Sequence, residues 1–116
     1  MENRTFSVQT RFDGNKAILD MHGEINGLAD GEINEAYQSA EKQSQDMIVL
    51  NFSDVEYINS TGIALIVGLI AQARKNHRQL VVFGLNPHYQ QIFTITRLVD
   101  FMKIYQDEIS ALGAKV

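Results

Sequence analysis

Two short runs, "MIVLNF" (Met47–Phe52) and "LVVFG" (Leu80–Gly84), lack the polar alternation of a half-solvated strand. Runs of that kind suit strands covered on both faces. Between them lies an apolar segment of helical length, from Thr61 to about Asn76. Strand, helix and strand at this spacing make a βαβ unit, which predicts two parallel strands joined by a right-handed crossover. That unit commits the chain to an α/β fold, with helices laid against a sheet.

The flanking segments fit around it. "TFSVQTRF" alternates, with Phe6, Val8, Thr10 and Phe12 on one side. "DGN" (Asp13 to Asn15) signals a turn, and "KAILDMHG" resumes the alternation through Ala17, Leu19 and Met21, so an N-terminal β-hairpin is expected. The period then changes: Leu28, Ile33, Ala36, Tyr37 and Ala40 predict an amphipathic helix from about Ala29 to Gln43. After Gly84, Asn86 is placed to cap a helix and Pro87 to open it. "FMKIY" reads as a short edge strand and "DEISAL" as a short last helix capped near Asp107. With no repeat, low-complexity stretch or linker, the 116 residues are expected to form one domain, 1–116, with its core at about 4–112.

Composition excludes several functions. Hydrophobic residues at 45 % and charged residues at 21 % allow one real core without metal or disulfide staples. Ten basic against 14 acidic residues give a net charge of −4, which argues against a nucleic-acid surface. Arg74, Lys75, His77 and Arg78 fall at a predicted helix end, where cations suit the negative end of the dipole. The absence of cysteine removes disulfides, thiolate nucleophiles and cysteine metal sites. "MENRTFSVQ" lacks a signal pattern, and the run Ile63–Ala71 is far shorter than the roughly 20 residues a membrane span needs. A cytoplasmic protein without membrane insertion is expected.

The chemistry concentrates in "INSTGIALI". Asn59, Ser60, Thr61 and Gly62 stand directly before a helix apolar over most of its circumference, which predicts that the sheet and its neighbours largely cover it. Gly68, inside that helix, is expected to permit close packing. The free N–H groups at the helix start need a partner, which Ser60 or Asn59 can supply as N-cap; no Glu or Gln is available for a capping box. A loop Ser53–Ser60 is expected to leave the C-terminal end of a buried parallel strand, where ligands gather in open α/β sheets. A phosphate on Ser60 would bring roughly −1.5 to −2 charges to a helix N-terminus that tolerates them. Tyr57, Ile58 and Ile63 beside it would make a partner-binding patch wherever they are exposed.

Other constellations carry less. The surroundings of Ser60 do not form a G-x-S-x-G elbow, and no spacing brings His22, His77 or His88 to it as a base. These histidines also lack metal-ligand spacing. Gly23, Gly27 and Gly31 do not form a phosphate-binding loop, since no G-K-[ST] follows. The stripe Ile92, Phe93, Ile95, Leu98, Val99 and Phe101 is expected to pack into the core. No catalytic residue, metal or cofactor is expected.

From about Arg4 to Leu112 the chain resembles a STAS domain, the family of bacterial anti-sigma-factor antagonists. The residues that carry the resemblance are "HGEIN", "IVLNFSDVEYINSTGIALIVGL", "LVVFG" and "IFTITRLVDFMKIY". It implies a mixed sheet of four or five strands with about four helices packed mainly on one face. It also implies partner switching. In that family a serine before [ST]-G is phosphorylated by a partner that is both serine kinase and anti-sigma factor. The unphosphorylated antagonist binds the kinase and frees the sigma factor, phosphorylation releases it, and a phosphatase resets it. By position the acceptor is Ser60, and Asn26, Tyr57, Ile58, Asn59, Thr61, Gly62 and Ile63 join it as expected partner-binding residues. The chain departs from the family at two places: Asn59 stands where an aspartate is usual, and Asn26 where an acidic residue is common. An alternative expectation is therefore an accessory STAS subunit of a transporter or signalling scaffold that binds without phosphorylation.

Overall fold

The computed structural model describes residues 5–43 and 46–113. Strands β1 (Ser7–Asp13) and β2 (Lys16–Ile25) form the expected antiparallel hairpin. Gly14, at φ 61°, opens its two-residue turn, the placement of glycine in a type II′ turn whose twist matches that of the strands. A 3-10 turn (Gly27–Ala29) leads into helix α1 (Asp30–Lys42), which buries Ile33, Tyr37 and Ala40. Leu28 is not part of that buried stripe: it sits on the 3-10 turn and is 93 % exposed.

Strand β3 (Met47–Ile58), helix α2 (Ser60–Lys75) and strand β4 (Gln79–Phe83) make the βαβ unit, with β3 parallel to both β2 and β4. Helix α3 (Pro87–Ile95) starts at the Asn86 cap, whose Oδ1 accepts from Tyr89 N–H at 2.9 Å. Strand β5 (Lys103–Tyr105) joins β4 at the far edge, and helix α4 (Glu108–Leu112) is capped by Asp107. The sheet order is β1-β2-β3-β4-β5.

The sheet separates two apolar layers. The larger contains Leu19, Ile25, Ile48, Leu50 and Val82 with the buried faces of α1, α2 and α3. The smaller, on the opposite face, gathers Ile18, Met47, Val49, Val81 and Phe83 beneath Ala111 of α4. Helices thus lie mainly on one face, as expected.

Four local expectations are corrected. The stretch Ser53–Ile58 is not a loop but the second half of β3. Register irregularities against β2, between Asp20 and His22 and between Gly23 and Glu24, insert extra residues in β3. The buried positions there fall at Phe52, Val55 and Ile58 instead of alternating, which hides the strand from a period-two reading. Helix α2 is not covered all round: Ala64, Val67, Gly68 and Ala71 are exposed, while Ile66, Leu69, Ile70 and Ala73 face the core. Gly68 accordingly permits no close packing, since a Cβ there would meet open space. In the C-terminal stripe, Phe93 and Leu98 are buried as expected, but Ile95 is 70 % exposed and Phe101 half-exposed.

Candidate functional site

The C-terminal ends of β2 and β3 and the first turn of α2 meet at one end of the sheet. Asn59 N–H donates to the Ile25 carbonyl at 3.2 Å, joining the residue before α2 to the last residue of β2. Asn59, in extended conformation, is the N-cap: its Oδ1 accepts from Gly62 N–H at 2.8 Å and its carbonyl accepts from Ile63 N–H at 2.9 Å. The capping role left open between Asn59 and Ser60 therefore falls to Asn59. Ser60 is the first helical residue and exposed, and its hydroxyl has no hydrogen-bond partner among the described residues.

Gly62 explains how the helix comes so close. A Cβ at this position would stand 2.0 Å from the Ile25 carbonyl oxygen and 2.9 Å from Ile58 Cγ2, so no larger residue fits without moving backbone. Gly62 and Ile58 (5 % exposed) thus lie beneath the surface and support it rather than forming it. Tyr89, buried in α3, adds a second support: its hydroxyl accepts from Ile58 N–H at 2.9 Å and reaches the Ile58 carbonyl at 3.4 Å. Sequence reasoning missed Tyr89, because a tyrosine on an apolar stripe does not announce which backbone its hydroxyl will meet.

The second asparagine also caps. Asn26 Oδ1 accepts from Leu28 N–H at 2.9 Å at the head of the 3-10 turn, and its amide reaches Glu24 Oε1 at 3.5 Å. Asn26 follows Ile25, so both asparagines lie beside the same backbone junction. Thr61 is exposed beside Gly27, its Cγ2 packed 3.5 Å from where a Cβ on Gly27 would be.

Of the eight positions expected to form the site, Ser60, Thr61 and Tyr57 are exposed, and Asn26, Asn59 and Ile63 are half-buried. To these the structure adds Leu28, whose exposure could have been suspected from its place five residues before Ile33, off the helical spacing. It also adds a stripe along α2: Ser60, Ala64, Val67, Gly68 and Ala71 recur at helical spacing, all exposed, and none is charged. The first charges along this face are Arg74 and Lys75 in the last turn. Arg74 stands 5.0 Å over the Phe101 ring. An uncharged helix face that begins at a free serine hydroxyl, with half-exposed Tyr57 beside it, suits protein contact better than small-molecule chemistry. No helix among the described residues is long and apolar enough to cross a membrane.

Known proteins resemble this chain in sequence and in fold. An anti-sigma-B factor antagonist of Listeria monocytogenes is 29 % identical over 82 residues, 71 % of this chain and 72 % of the relative. An anti-sigma factor antagonist of Mycobacterium paratuberculosis has the same fold, with a TM-score of 0.82 at 17 % identity over 96 % of this chain and 94 % of that one. The Bacillus cell fate determinant SpoIIAA in its phosphorylated form superimposes with a TM-score of 0.71 at 18 % identity, over 91 % of this chain and 96 % of that one. The model of one family matches residues 7–111, from the first strand to the last helix, and on that match the chain belongs to the STAS domain family.

Proposed function

We propose that this protein is an anti-sigma factor antagonist that binds a kinase-like anti-sigma factor through the Ser60 face and is released when Ser60 is phosphorylated. The observation that carries the reading is the division of labour at the start of α2. Asn59 satisfies the helix N-terminus, so the Ser60 hydroxyl is exposed and uncommitted. Relatives named as anti-sigma-B factor antagonists support the partner class. The first turn of α2 holds no acidic residue, so a phosphate there meets the helix dipole without a like charge in the same turn. Its dianion would leave the fold intact while adding charge to an uncharged contact surface. A loss of about 3 kcal/mol weakens such a complex roughly 150-fold, enough for a switch.

The test is a pull-down from the host's lysate with ATP present, comparing the native chain with Ser60→Ala and Ser60→Asp by mass spectrometry. Native protein and Ser60→Ala are expected to retain a protein of kinase fold, Ser60→Asp to lose it, and a phosphate to map to Ser60 of the native chain. Equal retention by Ser60→Asp would defeat the switch. One observation favours a second reading: Asn26 and Asn59 replace two acidic residues with neutral caps. On that reading the face holds a transporter or scaffold constitutively, which unchanged binding by Ser60→Asp would support.

A further inference from the structure

The two edges of the sheet are built differently. β5 is three residues long and begins with Lys103, a short, charged edge of the kind that resists strand addition. β1 is seven residues long, pairs with β2 without a register shift, and contains no proline. The hairpin turn decides which of its backbone groups are free. Gly14 and Asn15 connect the paired residues Asp13 and Lys16, so these two exchange both backbone hydrogen bonds, and by alternation so do Arg11 with Ile18 and Gln9 with Asp20. The N–H and C=O groups of Val8, Thr10 and Phe12 consequently point away from β2. Their cross-strand mates Met21, Leu19 and Ala17 belong to the larger core, so these side chains stand on the helix-bearing face. Phe12 is half-exposed there, and Val8 and Thr10 line an open groove of about 310 Å³ with Glu32, Glu35, Ala36 and Ser39.

We propose that this edge pairs with the same edge of a second copy, antiparallel, about a dyad at Thr10. In that register Thr10 faces Thr10 of the other copy and Val8 faces its Phe12, so every outward N–H and C=O of the three residues finds a mate. The half-exposed Phe12 ring lies beside a β-branched side chain, a favoured cross-strand pair, at the rim of the other copy's groove. On the opposite face Gln9 meets Arg11, and no like charges stand directly opposite. A dyad at Arg11 would set two guanidinium groups against each other, and one at Gln9 would oppose Phe12 to Phe6, which is buried in the core. Among dyads within β1, the one at Thr10 mates all three outward-facing residues with one another.

The dyad is perpendicular to the sheet. It leaves both helix layers on one side and sends the two Ser60 ends in opposite directions, so neither is covered. The contact is small, below about 1,000 Å², and association is correspondingly weak and concentration-dependent. Glu32 and Glu35 of both copies flank the junction, so screening their repulsion strengthens pairing as salt is raised.

Sedimentation equilibrium tests the inference. The native chain is expected to rise from 13.1 kDa toward twice that mass with concentration, over about 10 µM to 1 mM. Its association should tighten between about 0.05 and 0.5 M salt, and Glu32→Gln with Glu35→Gln should tighten it further and flatten that salt dependence. Thr10→Pro removes the central outward N–H without touching a β1–β2 hydrogen bond, and should stay monomeric throughout. Phe12→Ser, at an exposed position, removes the apolar cross-strand contact in both halves of the dyad without adding charge and should weaken pairing by about tenfold. Circular dichroism verifies the fold of each variant. A native chain that remains at 13.1 kDa across the range, or a dimer that Phe12→Ser leaves intact, overturns the inference.

Discussion

Ser60 is free because its neighbours on both sides do structural work. Asn59 supplies the cap, and Gly62 lets the helix rest against the Ile25 carbonyl. Replacing Gly62 by alanine forces a methyl group to 2.0 Å from that oxygen, which backbone movement alone can relieve. We expect Gly62→Ala to cost about 3 kcal/mol, read as a fall in the urea midpoint at unchanged slope. A change under about 0.5 kcal/mol would mean that the junction is looser than its geometry. The residue scale is also where sequence reading stopped short. Serine and asparagine cap almost equally well, so "NS" could not tell which of the two carries the cap and which is on offer. Gly62 entered the site by resemblance to a family motif; its burial assigns it to the support of Ser60 rather than to contact.

Helix α2 shows what governs an element. Its end is a Schellman motif: Arg78 N–H reaches the Ala73 carbonyl at 2.8 Å and His77 N–H the Arg74 carbonyl at 3.3 Å, with His77 in the left-handed region at φ 58°. A histidine there carries a steric cost that glycine avoids. His77→Gly is expected to raise stability by about 0.5 to 1 kcal/mol, measured by chemical denaturation, with α2 unchanged by circular dichroism. An unchanged or lower midpoint would show that His77 makes a compensating contact. The elements themselves were legible, because apolar runs, asparagine and aspartate caps and glycine turns act locally. The second half of β3 was not. Its irregular register places Val55 and Ile58 inward at a spacing of three, a pattern set by β2 and invisible in β3 alone. The open side of α2 was equally hidden, since apolar residues around a helix say nothing of how far its neighbours extend.

Across the molecule, one network joins the two ends of the chain. Arg11 on β1 pairs with Asp20 at 2.6 Å and with Glu108 of α4 at 2.6 Å, and Asn51 Nδ2 donates to Asp20 at 2.7 Å. Partial burial pushes the Asp20 carboxyl up, but the hydrogen bonds from Arg11 and Asn51 outweigh it and hold the group below its ordinary value. A folded-state pKa below the unfolded one stabilises the protein at pH values above the unfolded value, about 3.9, and that contribution is lost as pH falls through the folded one. Urea unfolding between about pH 2.5 and 7 should therefore show stability falling through the acid range, and Asp20→Asn should flatten that fall while lowering stability at neutral pH. An identical acid profile in the variant would assign the loss to other carboxylates. No sequence pattern announced this network, because a strand near one end and a helix near the other carry no mark of adjacency.

The strand order of the sheet is the order of the chain. During synthesis each new strand emerges to find its neighbour already made, and no strand has to be inserted between two earlier ones. The sheet can grow outward from the first hairpin, and the Ser60 junction gains its last support, the Tyr89 hydroxyl on Ile58, once α3 has formed. The tie between Arg11 and Glu108, like the cover that Ala111 gives the smaller apolar layer, must wait for the last helix. The Ser60 end of the sheet would thus be formed before the clasp on the opposite face closes.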